Sequence, residues 1–150
     1  MQGGKTNRIE KDPYESTMLE LVRASDRLSR GPAAVLKEDD LSGAQYNVLR
    51  ILRGAPEGAN CGEIANRMIT RDPDITRLLD RLEKRGLIQR NREGCDRRTV
   101  VVRVTDEGLA LLARLDEPIR RVHYEQLGHL SEQQLKDLNE LVAACCERLA

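Results

Sequence analysis

The sequence contains no Phe and no Trp, and only three Tyr. Any aromatic contribution to a binding pocket therefore falls to Tyr14, Tyr46 and Tyr124. No apolar run approaches the roughly 20 residues that a bilayer-spanning helix needs. Residues 1–11 are polar and lack the apolar stretch of a signal peptide, so the expected location is cytoplasmic. The four cysteines, Cys61, Cys95, Cys145 and Cys146, match no zinc spacing, and a reducing compartment would keep them as thiols. His123 and His129 are too scattered to form a metal site. There is no phosphate-binding glycine loop, no nucleophile elbow and no evident set of histidine, carboxylate and nucleophile. The reading is of a non-enzyme with no cofactor and no metal. Net charge is also lacking: 25 basic and 25 acidic residues give a formal total of zero. Taken as a total, that argues against a polyanionic partner.

The distribution of charge reverses the argument. Residues 1–66 carry 9 basic and 10 acidic groups, and residues 104–150 carry 5 and 9. Residues 67–103 carry 11 basic and 6 acidic groups, a net +5. A charge run is usually a solvated surface, so local structure must decide whether this one is a phosphate footprint. The 150-residue length suits one domain with a core of its own.

Residues 1–11 read as a flexible tail. Tyr14, Met18, Leu21, Val22, Ser25 and Leu28 recur at helical spacing, giving a first helix from about 12 to 30, ended by Gly31-Pro32. Leu41, Ala44, Val48, Leu49 and Leu52 mark a second helix capped by Ser42. Asn60 and Glu63 form a capping-box pattern before a short helix with Ile64, Ala65 and Met68. Asp72-Pro73 reads as the cap and first residue of the next helix, whose apolar face is Ile75, Leu78, Leu79 and Leu82 up to Gly86. Two helices so close together read as a helix-turn-helix, about 60–86. The stretches 87–92 and 98–104, around a glycine-containing loop, read as a hairpin. Thr105 caps a further helix in which Pro118 is expected to cause a kink or break. Gly128 ends it. Ser131 and Gln134 make another capping box, opening a last helix with Leu135, Leu138, Leu141, Val142, Cys145 and Leu149 on one face.

The fold class this implies is mainly α with a small β-wing: a winged helix-turn-helix, with helices from both chain ends left over. The basic middle falls on the helix-turn-helix and wing. On the helix carrying the apolar face, Asp74, Arg77 and Arg81 point the other way, with Thr76 at the edge. A recognition helix presents such residues to the major groove, where Arg pairs with guanine and Thr meets a base methyl or phosphate. Arg71 is placed for phosphate. The wing carries Arg90, Arg92, Arg97, Arg98 and Arg103, and a narrow minor groove attracts inserted Arg. Asp96 is expected to pair with an Arg and fix the wing loop. An excess of five positive charges cannot be consumed by local pairing, so DNA binding is the reading.

Over about residues 12–150 the sequence resembles the MarR family of winged-helix transcriptional regulators. The most specific pieces are residues 41–49 (LSGAQYNVL), residues 75–87 (ITRLLDRLEKRGL) and the wing. There Asp96, Arg98 and Val104-Thr105 match the family's D-x-R-x₅-L-T pattern, with Val in place of Leu. By resemblance, Asp96 and Arg98 are the wing signature and Arg77 lies in the recognition helix. Residues 69–74 (ITRDPD) depart from the glycine-containing turn and serine-rich helix start of many members.

The resemblance implies a homodimer joined by helices from both ends (about 12–30 and 106–149), on a pseudo-palindromic double-stranded DNA operator. Half-sites would lie about 34–36 Å apart. It also implies repression relieved by a small, often phenolic, effector. Tyr46 is the leading effector-binding candidate, with Tyr14 and Tyr124 more readily explained as core or interface residues. A thiol-based redox regulator is the alternative. Cys95 in the basic wing loop and Cys61 at a helix start are its candidates, Cys145 reads as inert packing, and Cys146 could face a partner subunit. A winged-helix protein-interaction adaptor is the third class.

Overall fold

The computed structural model describes residues 12–92 and 100–147. Six helices and three short strands follow in the order α1 (Pro13–Lys37), α2 (Gly43–Arg53), β1 (Ala59–Asn60), α3 (Cys61–Arg67), α4 (Ile75–Lys84), β2 (Ile88–Arg92), β3 (Val100–Val104), α5 (Asp106–Leu127) and α6 (Glu132–Glu147). The strands form one antiparallel sheet in the order β1-β3-β2, with Ile88 opposite Val104 and Arg92 opposite Val100. This is a winged helix-turn-helix: α3 and α4 are the two helices and β2–β3 the wing.

Helix starts follow their local chemistry. Ser42 accepts from the Gln45 amide while the Gln45 side chain accepts from the Ser42 amide. Asn60 and Glu63 repeat that reciprocal pair. So do Ser131 and Gln134. Thr105 accepts from the Gly108 amide and donates to the Gly86 carbonyl, which ties the start of α5 to the end of α4. Each box satisfies two amides that a helix start leaves without partners. The core is aliphatic, with Val48, Leu49, Leu52, Ile64, Leu82 and Leu112 wholly enclosed. It draws on α2, α3, α4, α5 and the sheet.

Four expectations about the elements themselves change. First, α1 does not stop at Gly31-Pro32 but runs on to Lys37. Proline has no N–H, so the Leu28 carbonyl four residues earlier loses its helical donor. Gln126 of α5 supplies the missing donor, its side-chain amide lying 3.0 Å from that carbonyl. The glycine beside it allows the contact: a Cβ on Gly31 would lie 2.6 Å from Val122 Cγ1 and 2.7 Å from Gln126 Nε2. Second, of the kink or break expected at Pro118, the break does not occur, since α5 runs unbroken from Asp106 to Leu127. Third, α4 is capped by Asp74, whose carboxylate accepts from the Arg77 amide at 3.1 Å. Asp72, the expected cap, instead accepts from the Asp74 amide at 2.8 Å, and Pro73 lies before the helix. The aspartate nearer the helix wins because its side chain reaches the third helical amide. Fourth, β1 was not expected. At two residues it is too short for any periodicity to be seen, and it forms by pairing Ala59 with Val102 and Asn60 with Val101.

The last helix follows its stripe but buries no residue. Leu138, Leu141 and Val142 are exposed, and so are Tyr14, Met18 and Val22 on α1. Cys145, expected as packing, is exposed beside Cys146 for the same reason.

Candidate nucleic-acid interface

Helix α4 buries Leu78, Leu79 and Leu82 and turns Thr76, Arg77, Arg81 and Lys84 outward. Arg77, Arg81 and Lys84 are four and three residues apart and so share one helical face. Arg71 lies exposed in the segment before the helix, and Arg92 lies exposed at the end of β2. Among the described residues no carboxylate is ion-paired with Arg71, Arg77, Arg81 or Arg92. The two acids at the helix start, Asp72 and Asp74, are turned onto backbone amides. Their charge suits the positive end of the helix dipole. It also occupies amides at the start of α4 that a phosphate could otherwise have used. The positive charge that α4 presents is therefore carried by side chains, not by its N-terminus.

The turn between α3 and α4 is held from behind. The Ile69 amide donates to Asn47 Oδ1 of α2 at 2.8 Å, so α2 fixes the path of the chain between the two helices. Ile69 itself is 82% exposed.

Arg90 does not join the exposed cations. Its Nη2 lies 2.6 Å from Asp80 Oδ1 and 3.4 Å from the Thr76 carbonyl, both on α4. Glu83 Oε2 lies 3.6 Å from Arg90 Nε, and Glu83 Oε1 accepts from the Arg90 amide at 3.2 Å. The 3.6 Å approach compensates charge without a full hydrogen bond, because Arg90 Nε is buried and makes none. Arg90 thus fastens the wing strand β2 to the recognition helix. Counting charges could not reveal this, since it depends on which face of β2 the residue occupies and what lies beneath. Arg103 has a partner of its own. Asp96, Arg97, Arg98 and Cys95 lie outside the described residues.

The tyrosines separate. Tyr46 is half-buried against the core, with the Arg50 guanidinium carbon 5.8 Å from its ring centroid. Tyr14 is 84% exposed and Tyr124 is 74% exposed. Cys61 is half-buried and lines a cavity of about 320 Å³ between α4 and the sheet, with Thr76, Leu79, Arg90, Arg92 and Val102. His123 and His129 are exposed, and no group of three or more metal-binding side chains occurs among the described residues. No described helix is long and apolar enough to cross a membrane.

A helix-turn-helix with an arginine-lined outward face and a wing clamped to it defines the class of winged-helix DNA-binding proteins. Residues 41–100 match the model of the MarR family. The chain is 32% identical over 124 residues to the HTH-type transcriptional regulator PecS of Dickeya dadantii, covering 81% of this chain and 75% of that protein. It is 41% identical to a MarR transcription factor of Planctomyces limnophilus, whose crystal structure it matches with a TM-score of 0.69 over 91% of this chain and 99% of that one. The chain belongs to the MarR family of transcriptional regulators. Its fold also matches that of a point mutant of MarR from E. coli complexed with operator DNA, with a TM-score of 0.78 at 23% identity over 90% of this chain and 99% of that one.

Proposed function

We propose that this chain works as a homodimer that reads a pseudo-palindromic operator, represses transcription from it and is released by a small-molecule effector. The observation that carries the reading is the outward face of α4, where Arg77 and Arg81 are exposed and paired with no described carboxylate. Arg77, Arg81 and Thr76 are assigned to the major groove, and Arg71 and Arg92 to phosphates. Arg97, Arg98 and Asp96 are assigned to the wing tip by the family pattern. Asp74 acts at this surface by shaping the helix start, not by touching bases.

Dimerisation is supported by the apolar side chains that a single chain leaves uncovered. Tyr14, Met18 and Val22 on α1, with Leu138, Leu141 and Val142 on α6, lie on the two terminal helices. Apolar side chains left in water at this spacing along a helix mark a surface that another chain covers. A two-fold partner would cover both helices at once. Tyr46 remains the residue assigned to the effector. Its half-buried ring and the adjacent Arg50 guanidinium offer an apolar face and a cation to a small phenolic acid.

The test is fluorescence anisotropy with a duplex spanning the promoter region of the protein's own gene, against a scrambled duplex, at several salt concentrations. Arg77→Ala and Arg81→Ala should each weaken binding while the dimer stays intact by light scattering. A lost phosphate contact also flattens the slope of log affinity against log salt by about 1. Equal affinity of the wild type for both duplexes would return the adaptor class as the better account. A second reading, control by a thiol, is supported by Cys61, since an adduct in the cavity behind α4 would press the recognition helix off the sheet. Loss of DNA on peroxide treatment that Cys61→Ser abolishes would favour it.

A further inference from the structure

The far end of the recognition helix is held by a second arginine, at a strained place. Helix α1 closes with the Leu41 amide on the Leu36 carbonyl and the Asp40 amide on the Lys37 carbonyl. That pattern needs a left-handed residue at its second-last position, where glycine is usual. Here the residue is Asp40, with φ of 50°, the one non-glycine residue of positive φ among those described. Helix α4 closes in the same way, but with Gly86 at φ of 70°. A left-handed non-glycine persists when its surroundings fix it. Arg85, next to Gly86, fixes this one: Nη1 lies 2.7 Å from the Asp40 carbonyl and Nη2 2.7 Å from the Asp39 carbonyl. The Asp39 carboxylate in turn takes Arg114 Nη2 of α5 at 2.9 Å.

We propose that Arg85 is the positioning residue of the recognition helix. Through the corner at Asp39 and Asp40, it works beside the direct Thr105–Gly86 tie to set α4 relative to α5, and it transmits movements of α5 to the DNA-reading face. The inference rests on α4 being that face. The two arginines that grip α4 differ in kind. Arg90 meets carboxylates and is part-buried, so wing and recognition helix travel as one body. Arg85 meets two neutral carbonyls at the surface and makes no ion pair with a carboxylate among the described residues. The detachable joint is therefore the Arg85 fork. A ligand or partner contact that shifts α5 draws on Arg114, then on Asp39, then on the fork. The fork is bidentate and planar, which lysine cannot reproduce.

The experiment is amide hydrogen exchange on the full-length, DNA-free protein, read at Gly86 and Leu87, whose amides close the end of α4. Arg85→Ala should speed exchange there by about 5-fold or more, the lower end of ordinary coupling between sites. Arg114→Ala, two elements away, should produce part of the same acceleration with Arg85 in place. The double variant should exchange no faster than Arg85→Ala alone, because both act on one chain of contacts. Arg85→Lys should resemble Arg85→Ala. Additive effects, an inert Arg114→Ala, or a wild-type-like Arg85→Lys would each overturn the proposal. With the promoter-region duplex, Arg85→Ala should weaken binding without flattening the salt slope. A slope flattened by about 1 would make Arg85 a phosphate contact instead. Failure of the wild type to prefer that duplex would remove the operator reading, while the exchange data would still decide the coupling.

Discussion

Replacing Arg90 by glutamine separates the two jobs that cations do on this surface. In the folded chain its side chain is 23% exposed, and the guanidinium serves Asp80 at 2.6 Å and Glu83 at 3.6 Å. The glutamine side chain would be too short and neutral, leaving two carboxylates of α4 without their counter-charge. The two acidic side chains are 49% and 41% exposed, so water would screen much of the loss. An exposed pair is worth about 0.2–1 kcal/mol, and a buried one broken on one side about 3–5 kcal/mol. The geometry here lies between, so the expected cost is about 1–2 kcal/mol. For a chain of this size each kcal/mol moves Tm by about 2–4 °C, giving a fall of about 2–8 °C. Circular dichroism at fixed protein concentration reads it, since dimerisation would make Tm depend on concentration. Arg77→Gln and Arg81→Gln should stay within about 0.5 kcal/mol of wild type while losing DNA affinity, because neither side chain is ion-paired with a described residue. The reverse ranking, with Arg90→Gln thermally silent and Arg77→Gln destabilised, would refute the division of roles.

Three further outcomes are expected in the same assay. Gly108→Ala should destabilise by about 3 kcal/mol or more, since its Cβ would lie 2.3 Å from the Leu87 backbone oxygen, which cannot swing away. Asp40→Gly should be neutral or stabilising by up to about 1 kcal/mol, and Asp40→Val should cost about 1–2 kcal/mol, because glycine takes φ of 50° freely, aspartate tolerates it and a β-branched residue does not. Gln126→Met should cost about 1 kcal/mol by removing the donor to the Leu28 carbonyl, and less in a Pro32→Ala background, where the helix regains its own N–H. Equal cost in both backgrounds would break the account of how α1 passes its proline.

The features legible in the chain alone are local ones. The capping boxes at Asn60 and Ser131, the Ser42 and Thr105 caps and the apolar stripe of α4 all operate within four residues, so spacing was enough to place them. The order of elements, the winged helix and the basic character of the reading face followed from those signals. Whatever depends on distant neighbours came only with packing. Proline ends a helix unless something else serves the orphaned carbonyl, and for Pro32 that group comes from Gln126, in a bond spanning 98 positions. Strand β1 exists only because β3 offers it an edge. Of two aspartates before α4, side-chain reach selected Asp74 over Asp72. Charge counting found the excess on residues 67–103 but could not sort it. Arg77 and Arg81 are exposed with no ion pair among the described residues, Arg90 is held between the wing and α4, and Arg85 is held on the Asp39 and Asp40 carbonyls. A sequence states how many cations there are; only packing brings each one to a carboxylate, a carbonyl or open water.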